Sequence, residues 1–228
     1  MPYLLLGTSH IAQQSIEEIK HAVQTFQPDI IAVELDKERA QSLLTNAETN
    51  IPLAAIRSIG VRGYLFAKIA HTVQQKLGKS IGIAPGSEMK SALLLAKEHK
   101  LQAALIDQPI RITLKNFSKT LTWREKGRFL LDIIRGLTSP QKELEKSGLK
   151  DLDLRKVPQQ EFIEKMIDHL KERYPSIYKV LIEDRNHYMV KTMLKILRNN
   201  PEKKMLVIVG AGHLKGMKEL LLKIDIIT

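Results

Sequence analysis

The sequence contains no cysteine among its 228 residues. Disulfide bonds, thiolate nucleophiles and cysteine-ligated metal clusters are therefore excluded. Glycine and proline are also scarce, at twelve and nine residues, which is typical of a globular rather than a disordered chain. No apolar run approaches the roughly 20 residues that a membrane-spanning helix needs. The first residues lack the pattern of a signal peptide, so we expect a cytoplasmic protein from the chain as written.

Hydrophobic residues make up 43% of the chain, enough to bury a substantial core. The net charge is +11, and nearly all of the excess lies after residue 110. These basic residues alternate with Glu and Asp, which is typical of a solvated helical surface. The alternative interpretation is attraction to an anionic membrane surface or an acidic partner. No nucleic-acid-binding motif accompanies them, so we do not expect nucleic acid as a partner. A homo-oligomer is compatible with the composition.

Four short apolar segments have the character of buried β-strands, and each is followed by polar residues or glycine. They are residues 3–6, 29–33, 101–106 and 205–209. Helical patterns separate them. Ser15 and Glu18 have the spacing of a capping box, which predicts a helix that ends before Pro28. A second helix is predicted from the Pro85–Glu88 segment onward. The alternation predicts an α/β fold with a largely parallel central sheet flanked by helices.

Residues 114–200 contain helical patterns and no convincing strand. They include a long helix predicted from about Pro175 to Arg198, whose apolar face is predicted to contain Tyr178, Ile182, Met189, Met193 and Ile196. We therefore expect one α/β domain over residues 1–228, with residues 114–200 as a helical insertion or cap before the last core strand.

Residues suited to chemistry follow each predicted strand. Gly7-Thr8-Ser9-His10 follows the first and Gly210-Ala211-Gly212-His213 follows the last, while the second and third lead into Glu34 and Asp107. Ligands of parallel α/β sheets gather beyond the carboxyl ends of the strands. Two neutral imidazoles and a carboxylate form a common ligand set for Zn, Mn, Co or Fe. The alternative is that each histidine is a helix cap or a structural residue.

Three further residues have both a functional and a structural interpretation. On a 100° helical wheel, Arg185 and Asn186 lie about 60° and 40° from Ile182, on the buried side of the long helix. A buried guanidinium needs an anionic partner. Arg185 therefore either forms an ion pair with the sheet or faces the site, where it and Asn186 would bind substrate or an oxyanion. Glu88 lies in a first helical turn, where a carboxylate is favourable whatever its function.

Taken together, these motifs resemble the TraB/PrgY family, which is related to Tiki-type metalloproteases and to ChaN-like and erythromycin-esterase-like proteins. The resemblance runs in order from residue 4 to about residue 217. It is carried by residues 7–10, 33–36, 85–89, 105–107, 111–114, 183–186 and 210–213.

This resemblance implies an α/β core with both Gly-x-x-His motifs at the active site, and hydrolysis that depends on a divalent metal ion. It implies that His10, His213 and Glu34 hold the ion, which would be Mn, Co or Zn. Glu88 would be the general base or a further ligand, and Arg185 with Asn186 would steady the oxyanion or a substrate carboxylate. The expected substrate is a peptide, as in pheromone shutdown, or another small acyl compound.

Two other expectations remain beside this one. The same cleft could serve a non-enzymatic regulatory protein that binds a peptide or a cofactor. Many members of the family also continue into C-terminal transmembrane helices, so membrane association is expected if such a region is missing from this chain.

Overall fold

The computed structural model describes most of the chain, in the ranges 2–8, 12–45, 86–125, 127–128, 131–132 and 160–225. The strands are β1 (Tyr3–Thr8), β2 (Ile30–Val33), β3 (Gln102–Leu105) and β4 (Met205–Gly210). The helices before the last strand are α1 (Ala12–Phe26), α2 (Lys37–Thr45), α3 (Ser87–Glu98), α4 (Ile110–Thr120) and α5 (Gln160–Arg173). A long helix follows, comprising α6 (Pro175–Tyr178), a π-helical turn (Lys179–Glu183) and α7 (Asp184–Arg198). Helix α8 (Ala211–Asp225) comes after β4.

The four strands form one parallel sheet in the order β1-β4-β2-β3. The predicted α/β fold with a parallel central sheet is therefore confirmed, and so are the four strand positions. Strand β4 lies between β1 and β2, and all six of its residues are buried. A strand that is covered on both faces reads as a continuous apolar run, which is why Met205–Val209 could be recognised in the sequence.

Helices cover both faces of the sheet because successive strand residues point to opposite sides. Ile31 and Val33 belong to a core cluster with residues of α1 and α3. Ile30 and Ala32 belong to a second cluster, on the other face, with residues of α7 and α8. The sheet is therefore the middle of three layers, and its carboxyl edge is where residues from both sides meet.

Helix α1 differs in its start from the sequence prediction, whereas helix α3 agrees with it. Helix α1 begins at Ala12, three residues before Ser15. Ser15 is buried at 1% exposure inside this helix, so the predicted capping box is wrong, whereas the helix end before Pro28 is confirmed. Helix α3 begins at Ser87 as expected. It follows Gly86, whose φ of 83° lies in the left-handed region that suits glycine.

The long helix spans the predicted range, but its buried face is not continuous. The π-helical turn adds a residue to one helical turn and shifts the phase of the residues before it. Ile177 and Val180 are buried there in place of the predicted Tyr178 and Ile182, which are only partly buried. Beyond the turn, Met189 and Met193 are buried on the sheet as predicted.

The described part of residues 114–200 contains helices α4 to α7 and short helical stretches, and it contains no strand. The division of the chain into a core and a helical insertion or cap stays a prediction. Nowhere in the described ranges is a helix both long and apolar enough to cross a lipid bilayer.

Candidate functional site

The functional side chains meet at the carboxyl edge of the sheet. Strand β1 pairs with β4 so that Gly7 lies beside Val209 and Thr8 beside Gly210. The two Gly-x-x-His motifs therefore begin at neighbouring strand ends, at Gly7 in β1 and at Gly210 in β4. His10 lies outside the described residues, two positions beyond Thr8 in the chain. His213 lies in the first turn of α8, directly after β4.

Glu34 is the centre of this arrangement. It follows β2, which is the neighbour of β4, and its side chain is 10% exposed. One carboxylate oxygen, Oε2, accepts a hydrogen bond of 2.6 Å from the backbone N–H of Gly210. The other, Oε1, accepts a short bond from Nη2 of Arg185 and lies 3.3 Å from Nε2 of His213. Glu34 thus joins β2, β4, α7 and α8 through its two oxygens.

The environment of Glu34 favours its ionised form. Burial alone would raise the pKa of this carboxyl group. His213 in its protonated form and the Arg185 guanidinium outweigh burial through their positive charges, and the hydrogen bonds from the protonated ring and from Gly210 act in the same direction. The pKa of Glu34 is therefore held well below its usual value, and the site carries a carboxylate at neutral pH.

Arg185 is an ion-pair partner of the sheet. Its Nε and Nη2 donate to the two oxygens of Asp107 at 3.0 and 2.9 Å, in the parallel geometry that suits a guanidinium and a carboxylate. Nη2 also donates to Glu34, and Nη1 donates to the carbonyl of Leu181 at 3.1 Å. Burial alone would lower the pKa of Arg185. The charges and hydrogen bonds of Glu34 and Asp107 outweigh burial and raise this pKa above its usual value, so the side chain is permanently charged. Of the two interpretations of Arg185 that the helical wheel allowed, the ion pair with residues at the sheet edge is therefore present in the structure.

Asn186 and His213 form a buried pair. Asn186 is 3% exposed, and its Oδ1 lies 2.7 Å from Nδ1 of His213. An amide oxygen can only accept a hydrogen bond, so Nδ1 of His213 is the donor. The other ring nitrogen, Nε2, is then the one that faces Glu34. Nε2 of His213 and Oε1 of Glu34, 3.3 Å apart, repel each other as two acceptors unless a proton or a cation lies between them.

Glu88 occupies the first turn of α3 and is 1% exposed. Helix α3 packs against the same side of the sheet as α1. Glu88 is thus among the few fully buried charged residues that the structure describes. Its predicted role as a general base or a further ligand stays a prediction.

Residues suited to hold a metal ion are present in part. Nε2 of His213 and Oε1 of Glu34 are near enough to each other for one ion to bind both at the usual distances of about 2.0–2.2 Å. Within the described residues no group of three or more His, Asp or Glu side chains could hold a metal ion. The third predicted ligand, His10, is not among those residues. The donor pair fits a divalent cation, and a complete set depends on His10.

Sequence reasoning missed two contributors to this network. Arg39 of α2 donates from Nη1 to Asp107 at 3.1 Å, so Asp107 is held by two arginines. Asp36 caps α2 through the N–H of Arg39 and binds the N–H of Ile110 at the start of α4. An Asp three residues before the capped N–H is a recognisable helix-start signal. The pairing of Arg39 with Asp107 depends on tertiary geometry and has no local signal.

The model of the TraB/PrgY/gumN family matches residues 2–224. The chain belongs to the TraB/PrgY/gumN family. It is similar to an uncharacterized protein of Methanocaldococcus jannaschii, at 35% identity over 97% of this chain and 53% of that protein. It is also similar to a TraB domain-containing protein of Homo sapiens, at 22% identity over 94% of this chain and 61% of that protein. The chain thus spans little more than half the length of these relatives.

Among solved structures, a mutant of the erythromycin esterase EreC in its open conformation is similar, with a TM-score of 0.36 and 17% sequence identity. The similarity covers 92% of this chain and 60% of that one.

Proposed function

We propose that this protein is a hydrolase whose reactive centre is formed by Glu34 and His213. The observation that carries the proposal is the orientation of His213. Its Nδ1 is taken by Asn186, and its Nε2 faces the ionised Glu34 at 3.3 Å. The pair lies at the carboxyl edge of a parallel sheet, where α/β folds bind their ligands. The expected substrate is a peptide or another small acyl compound.

We further propose that His10, Glu34 and His213 bind one divalent cation, Mn, Co or Zn. When bound, such an ion lowers the pKa of a coordinated water and polarises a carbonyl group. The closeness of two of the three donors supports this assignment. Asn186, by holding Nδ1, would act as the outer partner that metal-binding histidines usually have.

Arg185 then has two tasks. Its bonds to Glu34 and Asp107 hold the Glu34 carboxylate in place and balance its charge. The contacts of the described residues use four of its five N–H groups and leave one on Nη1. This N–H is the one with which Arg185 would steady an oxyanion or a substrate carboxylate. Glu88 is our candidate for the group that accepts a proton from water, or for a further ligand.

The test is a hydrolysis assay on the protein incubated with Mn, Co or Zn and a defined peptide library, read by mass spectrometry. We expect cleavage by the natural chain. In Glu34→Gln and in His213→Ala, kcat/KM should fall by about 100-fold or more, since both remove a group of the reactive centre. His187→Ala is the matched control, because His187 is an exposed residue of α7 that binds only the carbonyl of Glu183 among the described contacts.

Two results would contradict the proposal. Unchanged turnover in both centre variants would remove Glu34 and His213 from the reaction. Tight retention of a peptide with no product under any of the three metals would favour the non-enzymatic binding protein.

A further inference from the structure

The space around His213 is shaped by a glycine. His213 and Gly216 are three residues apart in α8 and therefore lie on the same face of that helix. A Cβ atom at position 216 would overlap the amide nitrogen Nδ2 of Asn186 and lie 3.5 Å from its Cγ. The other end of the same amide, Oδ1, is held by His213. The Asn186 side chain thus fits between His213 and the bare backbone of Gly216.

We propose that Asn186 is a positioning residue that fixes the tautomer of His213, and that position 216 is glycine in order to admit the Asn186 amide. This inference rests on the proposed function, because it assigns the residues that prepare His213 for its role there. It concerns the ring itself, so it can be examined in the absence of metal and substrate.

The chemical step is the choice of which ring nitrogen carries the hydrogen. A neutral imidazole has one N–H, and either nitrogen can carry it. The Asn186 oxygen at 2.7 Å accepts this hydrogen from Nδ1. The lone pair is then on Nε2, which points to Glu34. With the hydrogen on Nε2, the lone pair would face Asn186, where it could serve neither a metal ion nor a proton transfer at the Glu34 side.

Gly216 matters because Asn186 has little freedom to move. The side chain is short and buried at 3% exposure. A methyl group at position 216 would therefore displace the amide at the cost of its bond to His213. Gly212 provides the comparison in the same helix. Its Cβ would lie 3.3 Å from Cδ1 of Ile167, the end of a flexible side chain that can shift by a few tenths of an ångström.

The experiment is long-range ¹H–¹⁵N NMR of the metal-free full chain with ¹⁵N-labelled histidine, recorded over a pH series that reaches the neutral ring. The spectrum of His213→Gln identifies the His213 signals among the seven histidines. We expect the Nδ1–H pattern in the natural chain, in Gly212→Ala and in the conservative variant Asn186→Asp, which keeps an acceptor oxygen. We expect this pattern to be lost in Gly216→Ala and in Asn186→Leu.

A second comparison separates misfolding from loss of positioning. In a background of Asn186→Ala the overlap at position 216 is gone, so adding Gly216→Ala should cost no further stability in urea unfolding. Neither variant of this pair should show the Nδ1–H pattern. Given the proposed function, Gly216→Ala should also weaken metal binding or turnover by about 10- to 100-fold, and Gly212→Ala should not.

Two outcomes overturn the inference. One is a natural chain with its hydrogen on Nε2 of His213. The other is a folded Gly216→Ala that keeps the natural pattern. Because the spectra need neither metal nor substrate, a chain that hydrolyses nothing can still support this assignment, and an active hydrolase with an Nε2–H ring refutes it.

Discussion

The replacement of Arg185 by methionine tests how the site is held together. This change keeps most of the side-chain volume and removes the charge that Glu34 and Asp107 share. The side chains of Arg185, Glu34 and Asp107 are 14%, 10% and 3% exposed, so two buried carboxylates would lose the counter-charge that they share, although Arg39 would still bind Asp107. Removal of one partner of such a buried pair costs about 3–5 kcal/mol. We expect a loss of this size in the free energy of unfolding at neutral pH.

The pH dependence of this loss follows from the pKa of Glu34. Its pKa is lower in the folded chain than in the unfolded chain, where it is about 4.3. The stabilisation from its ionised form is therefore present above about pH 4.3 and is lost as the pH falls through the lower folded value. Without Arg185 the folded pKa rises, so part of this stabilisation is missing. The difference between the natural chain and the variant should shrink below pH 4.

The assay is urea unfolding followed by circular dichroism, with chelator present so that metal binding does not contribute. Arg111→Met is the matched control. The ion pair of Arg111 with Glu38 has side chains 71% and 59% exposed, and such surface pairs contribute about 0–1 kcal/mol. The reasoning is refuted if Arg185→Met costs no more than Arg111→Met, or if its cost does not change between pH 7 and pH 3.

Three further predictions concern the rest of the fold. Burial and the hydrogen bond to Asp132 raise the pKa of Tyr174 to about 12, so the stability that this neutral phenol contributes below pH 10 should be lost towards pH 12. An ultraviolet titration compared with Tyr174→Phe should locate this pKa, and a pKa near 10 that Asp132→Asn leaves unchanged would refute the cause. Met193→Ala should cost about 2–5 kcal/mol in urea unfolding because Met193 is fully buried on the sheet, whereas Met166→Ala, at a position 50% exposed, should cost much less; equal costs would contradict the core assignment. Glu125→Ala should cost about 1–3 kcal/mol in the same assay, since Glu125 accepts the N–H groups of Ser176 and Thr122 in a buried position, and an unchanged midpoint would contradict this.

The sheet could be predicted from the sequence because its strands are buried on both faces. Met205–Val209 is a continuous apolar run, and glycine follows it at position 210. The long helix could be predicted for a similar reason, since Met189 and Met193 recur at helical spacing. The π-helical turn could not, because no residue between Lys179 and Glu183 marks the extra residue in that turn. The helical wheel therefore placed Ile182 on the buried face of the helix, whereas the structure leaves it only partly buried.

Those residues of the candidate site that closely follow a strand could be predicted from the sequence. Glu34 and His213 were identified in this way, and the structure brings them together. Partners from remote segments have no such signal. Arg39 reaches Asp107 only because α2 follows β2 at the edge of the sheet where Asp107 follows β3, and Asn186 reaches His213 only because α7 packs beside α8. The need for glycine at position 216 likewise depends on which side chain lies opposite.

The most direct test of a single centre at this edge is the stoichiometry of divalent metal binding, measured by equilibrium dialysis with Mn, Co and Zn in turn. The account predicts one ion per chain for one of these metals. It predicts loss of that ion in His10→Ala, Glu34→Gln and His213→Ala, and retention in His187→Ala. One bound ion that survives all three ligand variants would contradict it.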